Sequence, residues 1–438
     1  MGFFAKPTMD PATLKLLERA RLALAGSSGL LDALAWPRSV EQAFLASHAQ
    51  QIPEPVYAID RVAVEARLAR LDSFDEELRG DDALVRLLRA RTESQRLGAR
   101  MLLALGTKAF SDLSAQVYGS ARSTWLDGDT SNLDFAEHLL QRIGVTELAA
   151  RGRSDDELDA EGLAAYVRER ISKRKHKPKL EILIDPELSA KAIAGKTRLR
   201  IRGDATFDDE EARSLYLHEI ETHVFTAQNG DAQPHLDFLG AGGPLTTRTQ
   251  EGLAVFVELY SQALTIGRLR RLVERVRLVA MAEDGASFVD LYRHLVSLGA
   301  DERAAFLDVA RICRGGLCGG GAPFTKDACY LSGLVEVYDF LRLAVSHQGL
   351  LVAEVLVSGR LALSELEALV ALREQGLLAP PVFVPSWLRR WDDLLAHFAF
   401  TSFLSEIDLA FVAQRHAWLA RLPLRTLEPA ATPASPTE

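Results

Sequence analysis

Residues 217–223 read Leu217-His218-Glu219-Ile220-Glu221-Thr222-His223, and this stretch decides how the central part of the chain folds. Around a regular helix, residues i and i+4 differ by roughly 40°, whereas residues i and i+5 differ by roughly 140°. His218 and His223 therefore share one face only if the helix is widened between them. A π-bulge is the usual way to widen a helix, and such bulges are frequent at functional sites. The spacing predicts a helix with one widened turn and both histidines on the same side.

A second stretch, Gln250-Glu251-Gly252-Leu253-Ala254, supplies a carboxylate for the same site. Two imidazoles and one carboxylate with an open fourth position form the ligand set of catalytic zinc. We therefore expect one zinc ion per chain, bound by His218, His223 and Glu251. Glu219 stands where metalloproteases place the general base that takes a proton from the metal-bound water. The alternative is an amphipathic helix whose two histidines serve packing or lie at the surface.

The residues around Glu251 predict how a second helix begins. Thr247 and Gln250 fit a T-x-x-Q capping box, which opens a helix and places Glu251 in its first turn. Gly252 lies just inside that helix, where glycine costs about 1 kcal/mol relative to alanine. Its presence predicts that another backbone or a substrate approaches the helix closely.

The two motifs together resemble those of the microtubule-associated tyrosine carboxypeptidases and of their bacterial relatives, the flavohemoglobin expression-modulating QEGLA motif proteins. The resemblance extends from Pro55 to Phe400 and includes Ala104-Leu105-Gly106-Thr107, Val117-Tyr118-Gly119, Gly195 to Phe207 and Pro323-Phe324-Thr325-Lys326-Asp327. It implies that both histidines and Glu251 bind zinc and that Glu219 is catalytic. It also implies a carboxypeptidase that removes an aromatic or large apolar residue from the C-terminus of a peptide or protein.

Three further side chains are candidates for the chemistry of such a substrate. An exopeptidase must pair the terminal carboxylate with a fixed cation, and Lys326 and Arg314 flank the glycine-rich segment after the metal motifs. The developing oxyanion needs a hydrogen-bond donor, and Tyr330 is the candidate. The structural alternatives are surface cations and a tyrosine packed inside a helix.

Two other functions stay open at this point. One is a non-enzymatic regulatory protein that retains the metal site, and the other is a metal-dependent hydrolase of small amides. Glu219 distinguishes an enzyme from a regulator, because a structural metal site has no use for a general base.

The composition describes an ordinary globular protein of 438 residues with a net charge of −9, which argues against nucleic acid as a partner. We interpret the basic run of residues 173–179 as a solvated loop, with an acidic partner as the alternative. Three cysteines, interpreted as buried thiols rather than a second metal site, indicate a reducing compartment. The first ten residues have neither the apolar core nor the cleavage site of a signal peptide, and no apolar run is long enough for a membrane span. We expect a cytoplasmic protein that binds no membrane.

Helical spacing of leucine and alanine dominates the chain, and only residues 180–184 and 197–202 have strand composition. The predicted fold is α+β and predominantly α-helical, with a zincin-like metallopeptidase core and a small β-sheet whose edge strand pairs with the substrate. The alternative for the strands is a plain structural hairpin whose arginines face water. The predicted divisions are an N-terminal helical extension (1–54), a helical subdomain (55–172), the zincin-like catalytic core (173–335), a C-terminal helical subdomain (336–425) and a disordered tail (426–438).

Several local features complete the prediction. The metal-binding helix begins after Asp208, which with Glu211 forms a D-x-x-E capping pattern, and it ends at residues 229–230. One long helix runs from residue 250 to about residue 278. Residues 314–321 form a flexible substrate-lining loop or lid. Asp237 orients a ligating imidazole, with a surface turn as the alternative.

Overall fold

The computed structural model describes residues 10–26, 29–125, 128–143, 157–186, 188, 190–347, 349–407, 410 and 414–415. This part of the chain is predominantly α-helical with one small sheet, as the sequence predicts. No helix among the described residues is both long and apolar enough to cross a bilayer. The predicted C-terminal tail lies outside the described residues.

A series of helices precedes the sheet, and aspartates at several of their N-termini explain where they begin. Asp10, Asp60, Asp82 and Asp159 each accept a hydrogen bond from a backbone N–H of the first turn. The helices are α1 Pro11–Ala23, α2 Leu30–Ala33, α3 Arg38–Ala46, α4 Arg61–Asp75, α5 Ala83–Leu103, α6 Lys108–Tyr118, α7 Asn132–Ile143 and α8 Ala160–Ser172.

The sheet contains three strands in the order β1-β3-β2, namely β1 Glu181–Asp185, β2 Ala192–Ala194 and β3 Arg198–Arg202. β1 runs parallel to β3, and β2 pairs with β3 in the antiparallel direction. The sequence predicts β1 and β3 but not β2, since three residues carry too little periodicity. Leu199 and Ile201 are buried, and the arginines on the opposite face of β3 pair with neighbouring acidic residues.

The helix that carries both candidate histidine ligands, called the metal-binding helix below, consists of α9 Asp209–Leu215, a π-helical segment Tyr216–Val224 and α10 Phe225–Asp231. Asp208 caps it by accepting a hydrogen bond from the backbone N–H of Glu211 at 2.7 Å, as predicted. The helix ends at Asp231, one residue beyond the stop that the sequence predicts at residues 229–230. The side-chain amide of the buried Asn229 donates to the backbone carbonyls of Val357 and Phe383. It therefore does not cap the helix, and the helix continues to Asp231.

The long helix predicted from residue 250 to residue 278 is instead two helices, α11 Thr247–Tyr260 and α12 Ile266–Glu283. The backbone carbonyl of Glu258 accepts hydrogen bonds from Ala263 and Leu264 across a turn in which Gln262 has a φ of 54°. Thr265 then caps α12 by accepting from the backbone N–H of Arg268. The apolar spacing continues across this break and therefore concealed it.

Further helices follow α12 along the chain. They are α13 Phe288–Ser297, α14 Glu302–Cys313, α15 Cys329–Ser346, α16 Leu350–Leu356, α17 Leu366–Glu374, α18 Ser386–Arg389 and α19 Trp391–Ser405. The predicted division between residues 335 and 336 falls inside α15. The three cysteines are free and buried, as predicted.

The glycine-rich segment, residues 314–321, is tied into the core rather than forming the predicted flexible lid. Gly315 donates to the hydroxyl of Tyr57 at 2.6 Å and accepts from the backbone N–H of Gly106 at 2.9 Å. A Cβ atom on Gly315 would lie 2.4 Å from side-chain atoms of Leu34 and Phe110. Glycine is required here because of close packing and a positive φ, not because of mobility.

Two hydrophobic clusters meet at the metal-binding helix. The large cluster contains residues from both ends of the described chain, between Leu17 and Phe398, and includes Leu217. The small cluster joins α8 and the sheet to the opposite face of the helix, where Tyr216, Ile220 and Val224 are buried. The helix is therefore packed from both sides, which fixes the rotation of its histidines.

Candidate metal centre

His218, His223 and Glu251 converge as the sequence predicts. One potential ligand atom of each lies within 4.8 Å of the other two. The Nε2 atoms of His218 and His223 are 3.5 and 3.6 Å from Oε2 of Glu251. The π-helical segment makes this possible, because its wider turn brings two residues five apart to one side. Among the described residues, no other group of histidine, cysteine and acidic side chains forms such a cluster.

Glu258 orients the first histidine. Its Oε1 lies 2.6 Å from Nδ1 of His218, while its Oε2 accepts from the hydroxyl of Ser214 and from Nε of Arg268. Glu258 is fully buried. A carboxylate on Nδ1 fixes the tautomer and leaves Nε2 as the coordinating atom, which is the usual arrangement behind a metal-bound histidine.

Asp237, predicted to orient an imidazole, instead pairs with Arg21 at 3.0 Å, far along the chain in α1. Glu258 fulfils the orienting role that the sequence predicts for Asp237. A signal for Glu258 was present: it follows Glu251 by seven residues, which is about two turns of α11, so both carboxylates project from the same face.

Glu251 is held by a lysine as well as by the histidines. Nζ of Lys326 donates to Oε1 of Glu251 at 2.8 Å and to the hydroxyl oxygen of Tyr330 at 3.1 Å. Glu251 therefore turns one oxygen to Lys326 and the other to the imidazoles. Lys326 and Tyr330 are both buried.

The electrostatics of the centre favour a bound cation. Burial opposes charge on Glu251, but Lys326 and the two histidines hold its pKa well below its usual range. Burial also opposes charge on His218, yet hydrogen bonds to Glu251 and Glu258 raise its pKa to about 10. The carboxylates thus draw a positive charge to Nε2 of His218, where a divalent ion can replace the proton. The donor set and its surroundings fit a metal with nitrogen and oxygen ligands.

Glu219 lies beside the triad and contacts the sheet. Its Oε2 accepts a hydrogen bond from the backbone N–H of Ala194 in β2 at 3.0 Å. Its Oε1 has no hydrogen-bond partner among the described residues. β2 is an edge strand, so the carboxylate next to the metal ligands is positioned by the sheet edge itself.

The predicted capping box at Thr247 and Gln250 is wrong. A 3-10 turn, Pro244–Thr246, leads directly into α11, whose N-cap is Thr246, and Glu251 therefore lies in the second turn. Oε1 of Gln250 accepts from the hydroxyl of Thr226 at 2.8 Å and so joins α11 to the metal-binding helix.

The close approach predicted at Gly252 is confirmed. A Cβ atom there would lie 2.2 Å from the backbone carbonyl of Gly333, so α11 and α15 touch backbone to backbone. This contact sets the separation of the helix that carries Glu251 from the one that carries Tyr330.

Lys326 and Arg314, the two predicted substrate cations, are placed differently from one another. The charge of Lys326 is directed to Glu251, which favours a role in holding the metal ligand. The guanidinium of Arg314 lies 5.7 Å from the ring centroid of Phe324, and its buried Nε has no hydrogen-bond partner. Burial lowers the pKa of Arg314 to about 10, and its nearest charged neighbours include Arg311 and Asp327.

A cavity of about 860 Å³ lies on the other side of the metal-binding helix. Tyr216, Leu217 and Glu221 line it, but none of the three candidate ligands does. Glu221 is buried there and accepts hydrogen bonds from Arg174 and from the backbone and hydroxyl of Ser386. The chemistry of the triad therefore belongs to a different face of the helix from this cavity.

The fold and the centre define a class, namely mostly helical α+β proteins in which two histidines and a glutamate form a candidate metal site beside a further carboxylate. The family model described as microtubule-associated tyrosine carboxypeptidase matches residues 42–406, and the chain belongs to this family. Membership implies a carboxypeptidase-like function.

Two further comparisons complete this finding. No curated protein matches the chain. A solved structure described as a putative lipoprotein from Colwellia psychrerythraea is similar over 85% of this chain and 77% of its own, with 12% identity and a TM-score of 0.41.

Proposed function

We propose that this protein is a zinc-dependent carboxypeptidase that removes an aromatic or large apolar C-terminal residue from a peptide or protein. The observation that carries the proposal is the convergence of His218, His223 and Glu251 next to Glu219. The family to which the chain belongs supports it. When bound, zinc supplies a Lewis acid that polarises the scissile carbonyl and acidifies water. Buried free cysteines are consistent with a cytoplasmic enzyme.

In this proposal Glu219 is the general base. The N–H of Ala194 holds Oε2, so Oε1 is oriented to accept a proton from the attacking water. The same carboxylic acid then gives that proton to the leaving amine. The outer backbone groups of β2, other than the N–H of Ala194, can pair with an extended substrate, which would align the scissile bond with Glu219.

Tyr330 is the proposed donor to the oxyanion that develops on the scissile carbonyl. Its hydroxyl oxygen accepts from Lys326, so its own proton is free to point to another acceptor. Lys326 acts as a positioning residue, because it holds both Tyr330 and Glu251. A donor of this kind contributes to rate only if it is aimed at the oxyanion rather than at the ground-state carbonyl.

The test is Glu219→Gln in the zinc-loaded protein, assayed with peptides ending in tyrosine, phenylalanine or leucine. Glutamine keeps the shape but cannot accept the proton, so kcat should fall by about 100-fold or more while zinc content and melting temperature stay unchanged. Release of the terminal residue is followed by mass spectrometry.

Glu210→Gln is the matched control, since Glu210 is exposed in the first turn of α9, on the same helix. It should leave kcat unchanged. A Glu219→Gln variant as active as the wild type removes Glu219 from the mechanism. A wild type that cuts only internal bonds, or only small amides, overturns the carboxypeptidase proposal.

A further inference from the structure

Arg360 is an arginine at the candidate metal centre whose charge no acidic side chain in the described part of the chain neutralises. Its Nη2 donates to the backbone carbonyl of His223 at 3.5 Å. Its Nε is buried and has no hydrogen-bond partner. Arginine carries five N–H donors in a planar fork, so most of the donors of Arg360 meet no protein acceptor.

The backbone of Arg360 is fixed, which makes its side chain a defined feature of the site. Its N–H donates to the carbonyl of Leu239 at 2.9 Å, and its own carbonyl accepts from Nη2 of Arg91 at 2.9 Å. Arg91 is itself anchored by a buried ion pair with Glu365 at 2.7 Å. The side chain then passes Gly242 so closely that a Cβ atom there would lie 3.2 Å from Cδ of Arg360.

The contact between Nη2 of Arg360 and the backbone carbonyl of His223 places the guanidinium at a candidate ligand residue. Burial lowers the pKa of Arg360, while the carboxylates of Glu219 and Glu251 raise it. Both the proposed base and a candidate metal ligand are therefore among its neighbours, although neither forms an ion pair with it. A partly buried guanidinium without a counterion is unfavourable, and an anionic group delivered by a ligand would relieve that cost. The guanidinium fork matches a carboxylate in a bidentate pair.

We propose that Arg360 binds the C-terminal α-carboxylate of the substrate. The inference rests on the proposed carboxypeptidase function and defines its substrate class, which is peptides with a free carboxylate on the residue to be removed. It also replaces Lys326 in the role that the sequence suggested, because the charge of Lys326 is already directed to Glu251.

Arg314 is the rival and therefore the matched control. Like Arg360 it is partly buried, has a buried Nε without a partner and forms no ion pair within the described residues. Its charged surroundings differ, however, because they consist of Arg311, Asp327 and Tyr330 rather than Glu219 and Glu251. Position relative to the centre is what separates the two arginines.

The experiment compares two peptides that differ only in a free or amidated C-terminus, with wild type, Arg360→Gln, Arg360→Lys and Arg314→Gln. For Arg360→Gln we expect kcat/KM on the free acid to fall by about 100-fold, mainly through KM, and the preference over the amide to disappear. Arg360→Lys keeps the charge without the fork and should be intermediate. Arg314→Gln should retain the preference.

Binding gives a readout that does not depend on turnover. In a Glu219→Gln background, calorimetry should show tighter binding of the free acid than of the amide, and adding Arg360→Gln should remove that difference. Zinc content and melting temperature report whether each variant is folded. If Arg360→Gln does not fold, the comparison of Arg360→Lys with the wild type tests whether Arg360 binds the carboxylate.

The outcomes separate the two proposals. Suppose that the wild type prefers the free acid. If both Arg360 variants keep this preference, or if only Arg314→Gln loses it, the assignment of Arg360 is overturned. The carboxypeptidase proposal is unaffected by that outcome. A wild type that releases no C-terminal residue overturns the proposed function itself. Equal binding of acid and amide in the Glu219→Gln background overturns the assignment of Arg360.

Discussion

Glu258 shows how a single buried residue can decide the properties of the candidate metal centre. Its carboxylate contacts His218, Ser214 and Arg268. Because it fixes Nδ1 of His218, it determines which nitrogen faces Glu251. The affinity of the centre for a metal should therefore depend on Glu258 although Glu258 is not a ligand.

We predict that Glu258→Gln weakens zinc binding by about 10-fold to 100-fold, which is typical when the partner of a ligating histidine is changed. Competition with a chromogenic chelator measures the dissociation constant. His223→Ala, which removes a proposed ligand, sets the scale for loss of the site. Ser214→Ala removes another hydrogen bond of Glu258 without touching His218 and should change the affinity little. Equal affinities in wild type and Glu258→Gln would contradict the orienting role.

Some residues of this centre can be predicted from the sequence and others cannot. His218, Glu219 and His223 lie in one local motif whose spacing constrains them, and Glu251 lies in a second motif. Arg360 has no local signal, because only the folding of residues 239–242 and Arg91 against it brings it to the centre. Local spacing thus predicts ligands, whereas a side chain supplied by a distant segment requires the tertiary structure.

At the scale of elements, the contact between α11 and α15 is controlled by two glycines. Gly252 and Gly333 allow the backbones to touch, and the neighbours of these glycines, Glu251 and Ser332, are thereby held at fixed positions. An added methyl group has no room, because the nearest atoms belong to a backbone carbonyl rather than to a flexible side chain.

We predict that Gly252→Ala lowers the free energy of unfolding by about 1–3 kcal/mol or more, since overpacking of a close contact costs this much. Urea unfolding measures the change. Gly267, in the first turn of α12, has open space around it and is the control. Gly267→Ala should be neutral or stabilising by up to about 1 kcal/mol. Equal stability of the two variants would show that α11 and α15 can separate without cost.

The sequence predicts helices well where the apolar periodicity is strong, and poorly where a capping residue determines the helix boundary. The π-helical segment follows from the five-residue spacing of the histidines, and it is observed. The break between α11 and α12 was missed, because it depends on Gln262 and on capping by Thr265. The zincin-like core and the proposed subdomain divisions remain predictions.

At the scale of the whole molecule, a buried ion-pair cluster joins the helices that support the site. Asp327 accepts two hydrogen bonds from Arg311 at 2.8 Å and lies 3.7 Å from Arg275. It follows Lys326 directly, so the cluster connects α12 and α14 to the turn that holds the lysine of the centre. Burial opposes the charge of Asp327, but Arg311, Arg275 and Lys326 hold its pKa well below its ordinary value of 3.8.

We predict that Asp327→Asn costs about 3–5 kcal/mol of stability at neutral pH, because it removes the buried carboxylate that pairs with Arg311. A carboxyl whose pKa is lowered in the folded state stabilises the protein above its unfolded pKa. The difference between wild type and variant should therefore be constant from about pH 5 to pH 8 and shrink below about pH 4. Chemical unfolding at several pH values measures it.

Asp308→Asn is the control for this cluster. Asp308 also pairs with Arg275, at 2.9 Å, but it is more exposed than Asp327. Its loss should cost at most about 1 kcal/mol. A cost that is the same for both variants, or a difference that persists to low pH, would contradict the role assigned to the buried pair.

The widened turn of the metal-binding helix has a consequence for how the motif can vary in length. A π-turn closes over five residues where an α-turn closes over four, so the turn absorbs one inserted residue without changing the relative rotation of α9 and α10. Either Ile220 or Glu221, which lie between the two histidines, can be regarded as the inserted residue, and both have contacts of their own. Ile220 packs in the small cluster, and Glu221 binds Arg174 and Ser386. A deletion that restored four-residue spacing would keep both histidines on one side and yet remove a packing or hydrogen-bonding group on the other. The length of the motif is thus constrained by the interior of the protein as well as by the geometry of the candidate ligands.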